Sequence, residues 1–123
     1  MKSFALFSAF DRSDLLERLG HDEDFVTEIL AMCVEEVDGK VTAIERAIAC
    51  GDLSVVGKLA HALKGVTANT SAHRLSAIAS ELELASKQSR LDLARTLALS
   101  LRPETDEFKQ AIAADYTTGI GTS

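Results

Sequence analysis

The sequence predicts an all-α fold: an antiparallel up-down four-helix bundle with a short N-terminal helix covering it. Three observations predict this. Apolar residues recur every three or four positions through most of the chain, the period of helices packed on one face. The 123 residues include one proline and seven glycines, few breaks for this length, which favours a few long helices over many short strands. Hydrophobic content is 46% but aromatic content only 5%, so this single domain must rest on one aliphatic core. Long amphipathic helices joined by short turns pack as such a bundle.

Residues 1–10 are an N-terminal segment, 11–113 the bundle and 114–123 a flexible tail rich in threonine and glycine. The run from Met1 to Phe10 is too short for a signal peptide, lacks a cleavage site and leads straight into an acidic helix, so Phe4, Phe7 and Phe10 are expected against the bundle. Asp11 caps a short helix carrying Leu15, Leu16 and Leu19, which Gly20 ends. Asp22, Glu23 and Asp24 then place negative charge where the next helix's macrodipole favours it. That helix carries Phe25, Ile29, Met32 or Cys33, Val37, Val41, Ile44 and Ile48 inward and runs unbroken to about Cys50, with a break at Gly39 as the alternative. Gly51 ends it and Asp52 caps the third helix. After a tight turn at Asn69–Ser71, in which Ser71 is a candidate N-cap, Leu75, Ile78, Ala79, Leu82 and Ala85 stripe a fourth helix to about Lys87. A last helix starts near Arg90 with Ala94, Leu97, Leu101, Phe108 and Ile112 on one side; because the stripe resumes in phase after Pro103, a kinked continuous helix is expected.

The third helix carries the chemistry. From Leu53 to Thr70, the residues Leu53, Val56, Leu59, Ala60, Leu63, Val66, Thr67 and Thr70 share one arc. With Leu53 at zero the arc centres at ~280°, whereas His61 falls at ~80°, away from the core. Ser54, Gly57, Lys58, Lys64, Gly65 and Ala68 surround it, all small or cationic. Each interior glycine costs about 1 kcal/mol relative to alanine. Gly57 and Gly65 lie one turn below and above His61, and removing both neighbouring side chains clears its imidazole for something bulky. Lys64 brings an ammonium beside the ring. A lone histidine on a helix is ordinarily plain surface; the glycine pair, the lysine and the outward placement together favour an anion bonded to the ring, with phosphate the obvious candidate. Lys58 is a weaker second cation or a solvated surface lysine.

His61-Ala62-Leu63-Lys64-Gly65, followed by Asn69, Ala72 and Leu75, resembles the signature of the histidine phosphotransfer (HPt) domains of two-component phosphorelays, approximately H-x-L-K-G-x-x-x-N-x-G-A-x-x-L. The likeness extends to Asp14–Gly20 with Asp22-Glu23-Asp24, to Ala49-Cys50-Gly51-Asp52 and to Leu82-Glu83, about residues 11 to 113. Ser71 departs from the pattern, standing where the family usually has glycine. The resemblance implies a four-helix bundle in which His61 accepts a phosphoryl group from a receiver-domain aspartyl phosphate and passes it to another receiver. Lys64 would offset charge on the phosphoryl oxygens and Gly65 would leave room for them. Ser54, Gly57, Lys58 and Ala68 would face the partner. Asn69 lies off the His61 face, at ~160° in the same count, and suits a structural role near the helix end; His21 and His73 read as surface residues at helix starts.

Nothing in the sequence could phosphorylate His61 from ATP: Walker and kinase glycine loops are absent, which describes a carrier rather than an enzyme. It is expected to need no cofactor of its own, the magnesium required for transfer residing in the partner receiver. Expected partners are response-regulator receiver domains and a hybrid histidine kinase. With 13 basic and 19 acidic residues, net charge −6, the chain is a poor ligand for nucleic acid or anionic membrane. No stretch reaches membrane-spanning length, and Cys33 and Cys50 fit a reducing compartment, so a cytoplasmic monomer is expected. Two rivals remain at this level: an HPt-like adaptor that binds partners through the same face without being phosphorylated, and a metal-binding bundle built from His21, His61, His73, Cys33 and Cys50. The second lacks the inward Glu-x-x-His pairs of bundle metal sites.

Overall fold

The computed structural model describes residues 8–121, with side chains to residue 114; Phe4 and Phe7 lie outside the described residues. Six helices follow in order: α1 (Arg12–Arg18), α2 (Glu23–Cys50), α3 (Leu53–Asn69), α4 (His73–Lys87), α5 (Leu91–Leu99) and α6 (Leu101–Gly121). The first three starts follow from local chemistry. The carboxylates of Asp11, Asp22 and Asp52 accept the backbone N–H of Asp14, Phe25 and Val55, satisfying donors that a first turn leaves unpaired. α2 ends at Gly51 in the left-handed conformation (φ 72°), as its sequence predicts, and continues unbroken through Gly39.

α2, α3, α4 and the α5–α6 pair form the bundle: α3 packs between α2 and α4, α4 meets α5, and α6 returns to α2. Its core is aliphatic, with Val37, Val41 and Ile44 of α2, Val56 and Leu63 of α3, Ile78 and Leu82 of α4 and Leu101 of α6 fully buried. Phe10 meets Phe108 edge-on, ring centroids 6.0 Å apart. α1 covers one end of the bundle. It is tied to the α3–α4 turn by the Asp11 N–H donating to Ser71 O (3.0 Å), while the Arg74 N–H donates to Ser8 O (2.9 Å).

The structure departs from the sequence expectations in four places. The last helix is two helices, broken at Ser100. Pro103 offers no N–H to the carbonyl four residues back and sits instead in the first turn of α6, where that donor would be unpaired anyway. The Ser100 hydroxyl caps the end of α5 by donating to Leu97 O at 2.6 Å. Second, α6 is helical to Gly121 rather than giving way to a tail after residue 113; extending an existing helix is far easier than nucleating one. Third, the N-terminal half of α2 is rotated from the expected face: Val26 and Leu30 are buried, whereas Phe25 and Met32 are 43% and 63% exposed. Leu30 and Val34 line a groove with Ile112 of α6, so the buried stripe is the one turned towards α6. Fourth, Ser71 is not the N-cap of α4. Ala72 holds that position without a side-chain bond, and Ser71 lies one residue earlier in the left-handed region (φ 58°).

The conformation of Ser71 accounts for a glycine at this place in the resembled pattern, since a left-handed residue is strained for any side chain. Here the side chain contributes compensating bonds. The Ser71 hydroxyl donates to Asp14 Oδ2 (2.6 Å) and accepts from Arg18 Nη1 (3.2 Å), and Arg18 Nη1 also donates to Ala68 O (2.9 Å). These bonds pin α1 to the end of α3, and the Ser71 bond holds the Asp14 carboxyl below its ordinary range.

Candidate functional site

α3 has the two faces its sequence predicts. Val56, Ala60, Leu63 and Thr67 are buried in the bundle, and the Thr67 hydroxyl returns its hydrogen bond to Leu63 O (2.8 Å). On the opposite side His61 stands out with its side chain 69% exposed. Among the described residues its one direct protein partner is a carboxylate from the neighbouring helix: Nδ1–H of His61 donates to Glu83 Oε2 at 2.8 Å. The other oxygen, Oε1, accepts from Lys64 Nζ, also at 2.8 Å. Lys87, one turn beyond on α4, places its Nζ 3.6 Å from Oε2.

Glu83 is buried at the α3–α4 seam, where an unpaired carboxylate would be costly. The hydrogen bond from Lys64 leads in holding its carboxyl down to about 2, opposed by burial and reinforced by His61. At neutral pH the group is an anion that can only accept, so Nδ1 of His61 must carry the proton. In the neutral ring Nε2 then holds the lone pair, on a side chain that is largely exposed. Two α3 residues one turn apart and one α4 residue thus make a triad of fixed polarity: ammonium, carboxylate, imidazole.

The small residues around His61 divide by role. A Cβ on Gly65 would meet nothing within 4 Å, so this glycine leaves open surface above the ring. A Cβ on Gly57 would fall 3.2 Å from Ser86 Cβ, so this glycine permits the close approach of α3 and α4 rather than clearing space for the imidazole. Ser54, Gly57 and Lys58 line, with Glu83, Ser86 and Lys87, a cleft of about 500 Å³ that has the imidazole in its wall. Ala68 is exposed but lies outside that cleft, its carbonyl taken by Arg18. Asn69 is exposed at the last position of α3. His73 sits 3.8 Å from Asp14 at the start of α4, and His21 is exposed before α2. Among the described residues, no three His, Cys, Asp or Glu side chains converge to hold a metal ion.

Glu83 is the residue whose role sequence reasoning missed. The Leu82-Glu83 pair belonged to the resembled pattern, but no helical count within α3 could reveal it as the partner of His61, because it lies 22 positions away on another helix. The available signal was that Glu83, one of two glutamates flanking Leu82, falls one turn after Ala79 at the edge of the aliphatic stripe.

The family model for the Hpt domain matches residues 28–114. No curated protein and no solved structure matches the chain. Members of this family are phosphocarriers that interact with the receiver and kinase domains of two-component systems. Because that match takes in most of α2, the whole of α3, α4 and α5 and the described side chains of α6, the chain belongs to the Hpt domain family of phosphorelays.

Proposed function

We propose that this protein carries a phosphoryl group on His61, accepting it from a receiver-domain aspartyl phosphate and passing it to another receiver. The observation that carries this reading is the Nδ1–H bond to an ionised Glu83, which leaves Nε2 of an exposed ring as the nucleophile. The Nε2 lone pair attacks phosphorus; the P–N bond forms as the P–O bond to the donor aspartate breaks, and that carboxylate leaves as an anion. The Nδ1 proton stays on the ring, which becomes a phosphorylated imidazolium, and Glu83 offsets its positive charge. Lys64 lies one turn from His61 and can leave Glu83 for the phosphoryl oxygens, a charge-assisted contact. Gly65 leaves the approach open. Both bonds are high in energy, so the transfer runs in either direction.

The carrier supplies no metal or nucleotide to this step; the magnesium belongs to the receiver. Among the described residues no helix is long and apolar enough to cross a membrane. Incubation with a phosphorylated receiver domain tests the proposal. An acid-labile, alkali-stable phosphate that is lost in His61→Gln is the expected result. Binding of the receiver without labelling would replace the carrier by an adaptor.

A further inference from the structure

We propose that the cleft beside His61 is a binding site for small acyl phosphates, which charge the histidine directly without a donor protein. This rests on His61 as the phosphoacceptor and adds a second class of donor: the mixed anhydride of a carboxylic and a phosphoric acid, free in solution and carrying an apolar acyl group.

The cleft measures about 500 Å³, within the range of sites that hold a whole small molecule. Its floor is part-buried Leu53, Gly57 and Ser86, where α3 and α4 come so close that a Cβ on Gly57 would lie 3.2 Å from Ser86 Cβ. A flat apolar acyl group laid on that floor leaves water, and so does the floor. The imidazole is part of the wall, so an acyl group seated there holds its phosphoryl end beside the nucleophile. A phosphoryl dianion also needs positive charge around it. A receiver brings magnesium, whereas a small donor depends on what the cleft offers, and although the chain carries a net charge of −6 the cleft offers lysines. Lys87 is 71% exposed and loosely paired, with Nζ 3.6 Å from Glu83. Lys58 is exposed and forms no ion pair with a described residue. Both are free to turn to an anion held between them and His61.

The transfer balances without a co-reactant. The Nε2 lone pair attacks phosphorus, the P–O bond to the acyl oxygen breaks, and the carboxylate leaves with the bonding pair. The Nδ1 proton stays on the ring, held by Glu83.

Benzoyl phosphate is the probe, with acetyl phosphate as a donor of the same bond and little apolar surface. Labelling of His61 by benzoyl phosphate should saturate with donor concentration. Its second-order rate should exceed that with acetyl phosphate about tenfold, the effect of burying a phenyl ring in place of a methyl group. Ser54→Trp, which fills the cleft from the first turn of α3, should erase that preference. Lys58→Gln should raise the half-saturating concentration severalfold, and Lys58→Arg should restore it. Phenacylphosphonate, in which a methylene replaces the bridging oxygen, cannot transfer its phosphorus; it should compete with benzoyl phosphate and shift the amide resonances of Gly57 and Ser86. A rate that rises linearly with donor and shows no preference for the benzoyl group would overturn the site, while labelling by a phosphorylated receiver would leave the carrier standing. Benzoylation of Lys58 or Lys87 in place of phosphate on His61 would overturn it too, since attack would then fall on carbon rather than phosphorus. If neither benzoyl phosphate nor a phosphorylated receiver labels His61, the phosphoacceptor reading itself fails and takes the site with it.

Discussion

Replacing Glu83 by glutamine keeps the shape of the side chain and an oxygen able to accept the His61 Nδ1–H, but removes the charge. The carboxylate lies 2.8 Å from Nδ1, which places the centres of opposite charge about 4 Å apart once the ring is an imidazolium. At that separation a full charge pair is worth about 1 kcal/mol in water and about 4 kcal/mol at an effective dielectric constant of 20. With the imidazole 69% exposed, the lower part of that range applies, about 1–2 kcal/mol. A transition state carrying part of this charge loses about 1 kcal/mol, a roughly fivefold slower transfer. Glu83→Ala should be slower again, because it also releases the ring to the other tautomer. Rapid-quench measurement of phosphoryl transfer from a labelled receiver, at saturating receiver, reads both. A Glu83→Gln protein that transfers at the wild-type rate would refute the role given to the carboxylate.

Other expectations follow from the same contacts. The Glu83 carboxyl is held at about 2 against an ordinary 4.5, so the stability it contributes is complete above pH 4.5 and lost as pH falls towards 2; Glu83→Gln should flatten the dependence of Tm on pH in that window. Part of the slope should persist, because Asp14, also lowered, gives stability that fades as pH falls below its ordinary 3.8. Gly65→Ala should raise Tm by several degrees, since alanine gains about 1 kcal/mol in an open helical position, yet slow transfer from a receiver by crowding its approach. Gly57→Ala should bring no such gain, because its Cβ presses on Ser86. Ser71→Ala should lower Tm more than Ser71→Gly: both lose the bonds to Asp14 and Arg18, but only glycine relieves the left-handed backbone. Arg102 donates to Asp38, Thr42 and Glu45 of α2, so Arg102→Lys should cost about 1 kcal/mol in denaturant unfolding, one ammonium being unable to reproduce the fork.

What the sequence made legible was whatever depends on neighbours along one helix. The caps at Asp11, Asp22 and Asp52, the left-handed stop at Gly51 and the outward placement of His61 are all set within a turn or two, and periodicity finds them. What it hid depends on where helices meet. Phe25 and Val26 each head a stripe of suitable spacing, and only the packing of α2 against its neighbouring helices distinguishes them. Pro103 left the apolar stripe in phase, so the break at Ser100 was invisible to a count of apolar positions, and the missing N–H alone allows either a kink or a break. Gly57 and Gly65 look alike in sequence, yet only a neighbouring helix distinguishes a packing glycine from an open one. For the same reason His61 and Lys64 were legible as a pair, while Glu83, which holds both, was not.

The most direct test is to identify the ring nitrogen that bears the phosphoryl group. With ¹⁵N-labelled histidine, the unphosphorylated protein should show His61 protonated at Nδ1, and the protein labelled by a phosphorylated receiver should show coupling between phosphorus and Nε2. Phosphate on Nδ1, on another residue, or on none would contradict an imidazole held by Glu83 and armed at Nε2.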